Sequence, residues 1–104
     1  MKKNELIKAL HAFGFTDQQA RLYLAGLQLG SCLMTNLARE AGIKRSTAYY
    51  AIGELERRGF FNTKKVGGRT HYVATSPQKL LTMTAQRLTM VKKLFPQLDT
   101  IRKK

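Results

Sequence analysis

Three residues, Gly42-Ile43-Lys44, separate two segments that both have helical periodicity, and this short connection restricts the fold more than any other feature of the sequence. The first segment, about Met34–Ala41, carries its apolar residues at helical spacing and ends at Gly42. The second segment, about Arg45–Arg58, does the same and ends at Gly59. Two helices joined by three or four residues with a glycine in the turn are typical of a helix-turn-helix.

Two further helices are predicted before this pair, and each is followed by a glycine. The first runs through about Phe13, with Asn4 or a neighbouring residue as its N-cap. The second begins with the capping-box pattern Thr16-Asp17-Gln18-Gln19 and runs to about Leu29. We expect the buried face of this second helix to carry Ala20, Tyr23, Leu24 and Leu27.

After Gly59 the period of the apolar residues changes from that of a helix to that of a strand. Phe60–Val66 and Arg69–Thr75 alternate as strands do, and Gly67-Gly68 between them tolerates the positive φ of a type I′ turn. The hairpin then places two residue pairs opposite each other, Phe61 with Ala74 and Thr63 with Tyr72. Helices, a helix-turn-helix and a hairpin in this order predict a mainly α winged helix-turn-helix fold with a small β-hairpin wing.

Ser76-Pro77 predicts the start of a last helix, with serine as N-cap and proline at the first helical position. An apolar stripe follows with the spacing of a coiled-coil seam. We expect this stripe to make the dimer contacts, through Leu81, Leu88, Val91, Phe95 and Leu98. Pro96 removes a helical hydrogen bond, so a break at Phe95 is one possibility. The expected organisation is a winged-helix domain at residues 1–76 and a dimerisation helix at residues 77–104.

The charge of the chain predicts a polyanionic partner. Nineteen lysines and arginines against six acids give a net charge of +13, above the roughly 2–8 of a small soluble domain. Nucleic acid is the first candidate and an anionic membrane surface the second. The longest apolar stretch, Ala48–Ile52, is far short of the ~20 residues that a membrane span needs. We therefore expect a cytoplasmic, nucleoid-associated protein that is not embedded in a membrane.

The second helix of the helix-turn-helix has an outward side suited to DNA. At 100° per residue, its buried side is formed by Ala48, Ile52 and Leu55. The opposite side, flanked by Thr47 and Tyr49, is formed by Ser46, Tyr50, Gly53 and Arg57. These residues offer hydroxyls and a guanidinium to the major groove, include no acid, and let the helix axis approach closely at the glycine. The alternative is a solvated face on a structural helix.

Phosphate contacts are expected at the start of this helix and on the wing. Lys44 and Arg45 lie beside unpaired backbone N–H groups at the helix N-terminus. Tyr49 either packs under the wing or hydrogen-bonds a phosphate. The wing tip offers three cations, Lys64, Lys65 and Arg69. Residues 43–75 hold seven lysines and arginines against two acids, which favours DNA contact, although lysines also protect an exposed strand edge from aggregation.

Nothing in the sequence predicts catalysis. His11 and His71 lie on different elements without a second ligand at metal spacing, and a single cysteine, Cys32, excludes a disulfide within the chain and a cysteine-based zinc site. Cys32 is interpreted as a small half-buried residue, with a redox-sensing thiol as the alternative. We expect no enzymatic activity, no catalytic residue, no metal site and no cofactor.

Three stretches resemble a known family. Residues 13–24 (FGFTDQQARLYL) are similar to its opening motif, residues 37–49 (LAREAGIKRSTAY) to its helix-turn-helix, and residues 55–60 (LERRGF) to its Leu-Glu-Lys-Lys-Gly exit. On these motifs, about Leu6–Leu81 resembles the N-terminal winged-helix domain of the TrmB-like transcriptional regulators of archaea and bacteria. MarR-like and ArsR-like regulators share the exit motif.

The resemblance implies binding to double-stranded DNA as a homodimer, with a long helix after the wing joining the two copies. Four residues match the start of the family's recognition helix, namely Arg45, Ser46, Thr47 and Tyr49. Lys44 stands where proline is common, and Tyr50 where a small or acidic residue is frequent. Larger members also carry a C-terminal sugar-binding domain, which these 104 residues do not include, so the effector is unknown.

We therefore expect a sequence-specific transcriptional regulator that binds double-stranded DNA as a homodimer. Its recognition helix, about residues 45–58, would enter the major groove, and its wing, residues 64–69, would contact the flanking backbone. Two-fold symmetry predicts a pseudo-palindromic site with half-sites about 10 bp, or a multiple, apart. A winged-helix protein-interaction module and an RNA-associated basic domain are the alternatives, with a membrane-surface role of the last helix a third.

Overall fold

A computed structural model describes residues 1–103, which fold into five α-helices and one antiparallel hairpin. The helices are α1 (Lys3–Leu10), α2 (Asp17–Leu29), α3 (Met34–Ala41), α4 (Arg45–Arg57) and α5 (Gln78–Ile101). The strands are β1 (Phe61–Val66) and β2 (Arg69–Ala74). The mainly α winged-helix fold is thus confirmed. Lys104, the last residue of the expected dimerisation segment, lies outside the described residues.

The start of α2 follows its sequence signal, whereas the start of α1 does not. The Thr16 hydroxyl accepts a hydrogen bond from the Gln19 N–H at 3.1 Å, and the Gln19 side chain accepts one from the Thr16 N–H at 3.0 Å. The capping box is therefore confirmed. Helix α1 begins after Lys2 without any side-chain cap, and Asn4 lies inside it. The expected helix to Phe13 ends as α-helix at Leu10 and tightens into a 3₁₀ turn at residues 11–13.

Helix α2 is the centre of the hydrophobic core, because α1, α3, α4 and β2 all pack against it. The aromatic rings of four residues meet edge to face beside it, with centroids 4.7–6.4 Å apart, namely Phe15, Tyr23, Phe60 and Phe61. Leu27, which the sequence placed on the buried face, is exposed, and Leu24 is half-buried. Because several elements pack around α2, Leu22 and Gly26 are buried, although the helical spacing had placed Leu27 on the buried face.

The hairpin has the expected register, since Phe61 pairs with Ala74 and Thr63 with Tyr72. Gly67 and Gly68 both have positive φ, 58° and 79°, as a type I′ turn requires. Each strand is one residue shorter than expected.

A third short segment extends this sheet. The Cys32 N–H donates to the Tyr72 carbonyl at 3.1 Å, and the Tyr72 N–H donates to the Cys32 carbonyl at 2.7 Å. Cys32, expected to be half-buried, is therefore buried beneath the wing, and burial raises the pKa of its thiol.

Helix α5 projects from the core. It begins one residue later than expected, and the Ser76 hydroxyl accepts a hydrogen bond from the Gln78 N–H at 3.1 Å. Its first turns pack on the core through half-buried Leu80 and Met83, and no residue of α5 is fully buried. The helix continues through Pro96 without the break considered at Phe95. Among the helices of residues 1–103, none is long and apolar enough to cross a bilayer.

Candidate nucleic-acid interface

Helix α4 exposes the side that the sequence assigns to DNA. Its buried residues are Ala48, Ala51, Ile52 and Leu55. On the opposite side Ser46, Tyr50 and Arg57 are exposed, whereas Gly53 is half-buried, as is the flanking Thr47. The Tyr50 side chain is the most prominent, with 76% of its surface accessible. An exposed aromatic ring on a helix is free to contact another molecule.

The N-terminus of α4 is electropositive. No side chain caps its first N–H groups, its first turn holds no acid, and Lys44 and Arg45 are both exposed. The Arg45 guanidinium donates to the Tyr49 hydroxyl at 3.2 Å and lies 5.6 Å from the centre of the Tyr49 ring. Tyr49 is 46% exposed and lines a cavity together with Tyr72 of β2.

Arg57 is not a free cation. Its guanidinium forms an ion pair with Glu54, and both side chains are substantially exposed. The four outward residues include no acid, but the carboxylate of Glu54, three positions before Arg57 on the same helix, neutralises one of them. An exposed ion pair is worth about 0–1 kcal/mol, so contact with a phosphate can replace it at small cost.

The wing presents its three cations to solvent. Lys64, Lys65 and Arg69 are all exposed. The Lys65 ammonium donates to the Thr70 hydroxyl at 2.9 Å, which orients it along β2. The basic residues that the sequence assigned to DNA, on the wing and at the start of α4, are therefore all exposed to solvent.

A cavity of about 320 Å³ lies between the start of α3, the start of α4 and strand β2. Its polar lining is formed by Thr35, Arg45, Tyr49, Arg69, Thr70 and Tyr72. Burial chiefly raises the pKa of the Tyr72 phenol, to which Tyr49 and Glu56 add, while the positive charge of Arg45 opposes the rise.

Sequence reasoning missed the threonines and Tyr72 as members of this cavity, and it gave Arg58 no role. The only available signal was Leu33 at the N-cap of α3, because a residue without a capping side chain leaves the first N–H groups of a helix unpaired. Arg58 hydrogen-bonds the backbone carbonyls of Phe13 and Gly14 and stacks over the Phe15 and Phe60 rings. No local pattern marks a side chain that acts across 44 residues of sequence.

The two histidines each have one polar neighbour. His11 Nε2 lies 2.5 Å from an Asp17 carboxylate oxygen, and His71 Nδ1 lies 3.5 Å from the Ser31 hydroxyl. Within residues 1–103, no three histidine, cysteine or acidic side chains gather as metal ligands.

A second candidate surface runs along α5. The five residues expected at a dimer contact, Leu81, Leu88, Val91, Phe95 and Leu98, are each more than half exposed. Ile101, Met90 and Leu94 add further exposed apolar area. A helix with such a stripe and no buried residue is typical of one that packs against another chain.

Comparison with known proteins decides the family. A family model described as "Sugar-specific transcriptional regulator TrmB" matches residues 10–78. The chain belongs to the TrmB family. TrmB proteins are transcriptional regulators with a winged-helix DNA-binding domain and not enzymes, so the expected class of protein is confirmed.

Individual relatives agree with this assignment. The sugar-sensing transcriptional regulator TrmBL1 of Pyrococcus furiosus is 33% identical over 60 residues. That match covers 58% of this chain and only 18% of TrmBL1, so this chain matches a small part of a much longer protein.

Solved structures show the same fold. The archaeal chromatin protein TrmBL2 has a TM-score of 0.77 at 21% identity, over 95% of this chain and 38% of that chain. A MarR family regulator from Silicibacter pomeroyi has a TM-score of 0.63 at 17% identity, over 95% of this chain and 62% of that chain. At these identities the similarity concerns the fold.

Proposed function

We propose that this TrmB-family chain is a sequence-specific regulator that binds double-stranded DNA as a homodimer, in the cytoplasm at the nucleoid. Helix α4 enters the major groove, and the wing contacts the flanking phosphates. The observation that carries the proposal is the exposed outward side of α4, with Tyr50 at its centre.

The chemistry of that side fits a groove of base edges. The hydroxyls of Ser46 and Tyr50 donate and accept hydrogen bonds, and Gly53 brings the helix backbone close to the DNA. Thr47 and Arg57 lie at the margins of the groove, where a guanidinium bonds a base or a phosphate. The major groove of B-DNA is wide enough to admit an α-helix.

The charges fit the phosphate backbone on both sides of the groove. Lys44 and Arg45 at the start of α4, and Lys64, Lys65 and Arg69 on the wing, are exposed cations. Each phosphate that a cation neutralises releases a counterion, which makes binding depend on salt. A net charge of +13 supports fast, salt-dependent association with DNA.

The apolar stripe of α5 supports the homodimer. Two such helices packed through Leu88, Val91, Phe95 and Leu98 would bury surface that is exposed in the single chain. Each protomer then places one α4 in one half-site, so the operator is pseudo-palindromic with half-sites about 10 bp, or a multiple, apart.

The deciding experiment is selection of duplexes from a random library, followed by fluorescence anisotropy with the selected and a scrambled duplex at several salt concentrations. Tyr50→Ala should weaken binding to the selected duplex by about 1–3 kcal/mol and leave binding to the scrambled duplex nearly unchanged. Equal losses on both duplexes would refute a reading role for Tyr50. Structured RNA that competes better than the selected duplex would favour the RNA-associated alternative.

The oligomeric state is tested separately by analytical ultracentrifugation. Val91→Glu introduces a charge into the stripe and should give monomers, because a buried unpaired carboxylate is costly. Gln86→Glu adds the same charge on the opposite side of α5 and should leave the dimer intact. Dimers that persist in Val91→Glu would exclude this interface.

A further inference from the structure

The cavity between α3, α4 and the wing is lined by cationic and hydroxyl-bearing residues. It measures about 320 Å³, and two arginines from different elements, Arg45 of α4 and Arg69 of β2, line it. No acidic residue lines the cavity. An anion bound between two arginines reduces the repulsion between their charges.

Neither guanidinium has a negative partner within the described chain. Arg45 donates only to the neutral Tyr49 hydroxyl, at 3.2 Å. Arg69 makes no side-chain hydrogen bond and no ion pair with any residue from 1 to 103. Both guanidinium groups therefore retain N–H donors for an external ligand. Two N–H groups of one arginine can bond two oxygens of a phosphoryl group at the same time.

The hydroxyls of the cavity are arranged as donors too. The Tyr49 hydroxyl accepts from Arg45, and the Thr70 hydroxyl accepts from the Lys65 ammonium at 2.9 Å. Neither hydroxyl donates a hydrogen bond to another side chain or carbonyl of residues 1–103, so its proton is available for a ligand. Thr35 adds a third hydroxyl at the first turn of α3, a turn without a side-chain cap. The backbone N–H groups of this first turn of α3 add partial positive charge.

We infer that this cavity is a phosphoryl-binding site, in which Arg45, Arg69, Tyr49 and Thr70 all donate to the oxygens of one group. Donors from α4 and from β2 surround the group on more than one side, which suits a tetrahedral oxyanion with several acceptor oxygens. The phosphoryl group has two possible sources, a phosphate of the DNA backbone or a free phosphorylated compound that would compete with DNA. The first source rests on the proposed function, and the second does not.

Inorganic phosphate is the probe for the site itself. It is titrated into the ¹⁵N-labelled chain of 104 residues, with chloride holding the ionic strength constant, while amide resonances are followed by NMR. The amides of Thr35, Tyr49 and Thr70 should shift with saturation. Arg45→Gln and Arg69→Gln should each weaken the affinity at least about tenfold, as expected for loss of a charged hydrogen bond. An affinity that neither substitution changes, or no saturable shift at these amides, overturns the inference.

Arg39→Gln is the matched control. Arg39 is an exposed arginine of α3 that does not line the cavity, so its replacement removes the same charge and should preserve the phosphate affinity. If Arg39→Gln lost as much phosphate affinity as Arg69→Gln, the effect would come from the overall charge of the chain, and the inference of a specific site would be wrong. Both arginines of the cavity are exposed, so the variants should fold, as circular dichroism can check.

Duplexes with a single methylphosphonate at successive positions distinguish the two sources. If one neutralised phosphate weakens binding of the unmodified protein but not of Arg69→Gln, the site holds a DNA phosphate. If no position does so while inorganic phosphate still saturates the cavity, the site serves a free phosphorylated compound. Failure to bind any duplex would reject the proposed function, and the phosphate titration would still decide the cavity.

Discussion

The Tyr23 hydroxyl donates a hydrogen bond to the Thr75 carbonyl at 2.9 Å, and this bond joins the central helix α2 to the residue that leaves the wing. Thr75 lies just before α5, so the same bond positions the start of the projecting helix. Burial raises the pKa of the Tyr23 phenol.

Tyr23→Phe should lower the free energy of unfolding by about 1 kcal/mol, because it removes one hydrogen bond and leaves the Thr75 carbonyl unpaired. Urea denaturation measures the loss. Tyr50→Phe is the control, since that exposed hydroxyl makes no hydrogen bond within residues 1–103, and its stability should stay within about 0.5 kcal/mol of the parent. Equal stability of the two variants would contradict a structural role for the Tyr23 bond.

The protein should lose stability at alkaline pH. Burial raises the pKa of Cys32 from 9.0 and those of Tyr23 and Tyr72 from 10.0. As pH rises, these groups therefore lose their protons in the unfolded chain before they lose them in the folded protein. The free energy of unfolding is highest below the pKa values of the unfolded chain, and it falls as pH rises through the pKa values of the folded protein. In urea denaturation between pH 7 and 10.5, Cys32→Ala should remove the part of the fall that begins near pH 9. A parallel fall in both proteins would assign it to other groups.

Two helical glycines should respond to alanine in opposite ways. A Cβ at Gly26 would lie 2.6 Å from the Phe61 ring, whereas a Cβ at Gly53 would meet nothing nearer than Arg57 at 3.9 Å. Gly26→Ala should therefore destabilise by about 1–3 kcal/mol through overpacking, and Gly53→Ala should stabilise by about 0.5–1 kcal/mol through helix propensity. Thermal and urea unfolding measure both. If α4 approaches DNA closely at Gly53, Gly53→Ala should also weaken duplex binding despite its greater stability.

Substitution of two adjacent arginines, Arg57 and Arg58, should have separate effects on stability and on DNA binding. Arg58→Ala should lower the free energy of unfolding by about 2 kcal/mol, because it removes charged hydrogen bonds to the Phe13 and Gly14 carbonyls and the stacking on Phe15 and Phe60. Arg57→Ala breaks only an exposed ion pair and should stay within about 0.5 kcal/mol, yet weaken DNA binding. A reversed order of the two stabilities would show that the contacts of Arg58 are not the stabilising ones.

Removal of a wing cation should change the salt dependence of DNA binding. Lys65→Ala should weaken binding to selected and scrambled duplexes alike and reduce the slope of log K against log salt by about 1, because one phosphate contact is lost. Lys65→Arg keeps the charge and should keep the slope. An unchanged slope in Lys65→Ala would place the wing away from the DNA.

The local elements were predictable because their signals lie within a few residues of one another. The capping box at Thr16, the bounds of α3, the register of the hairpin and the two positive-φ glycines all follow from neighbouring residues. Errors arose where distant residues compete. Leu27 has the helical spacing of a core residue, but the helices and strand that surround α2 bury Leu22 and Gly26 and leave Leu27 exposed.

The amino-acid sequence alone determined the order of helices and strands, the outward side of α4 and the excess of positive charge, since these depend on backbone geometry and side-chain spacing over short distances. Tertiary structure alone decided which cations are free. It brought Arg58 to the turn after α1 and placed Arg45 and Arg69 around one cavity. Such pairings depend on how elements pack across tens of residues, a distance over which sequence periodicity carries no information.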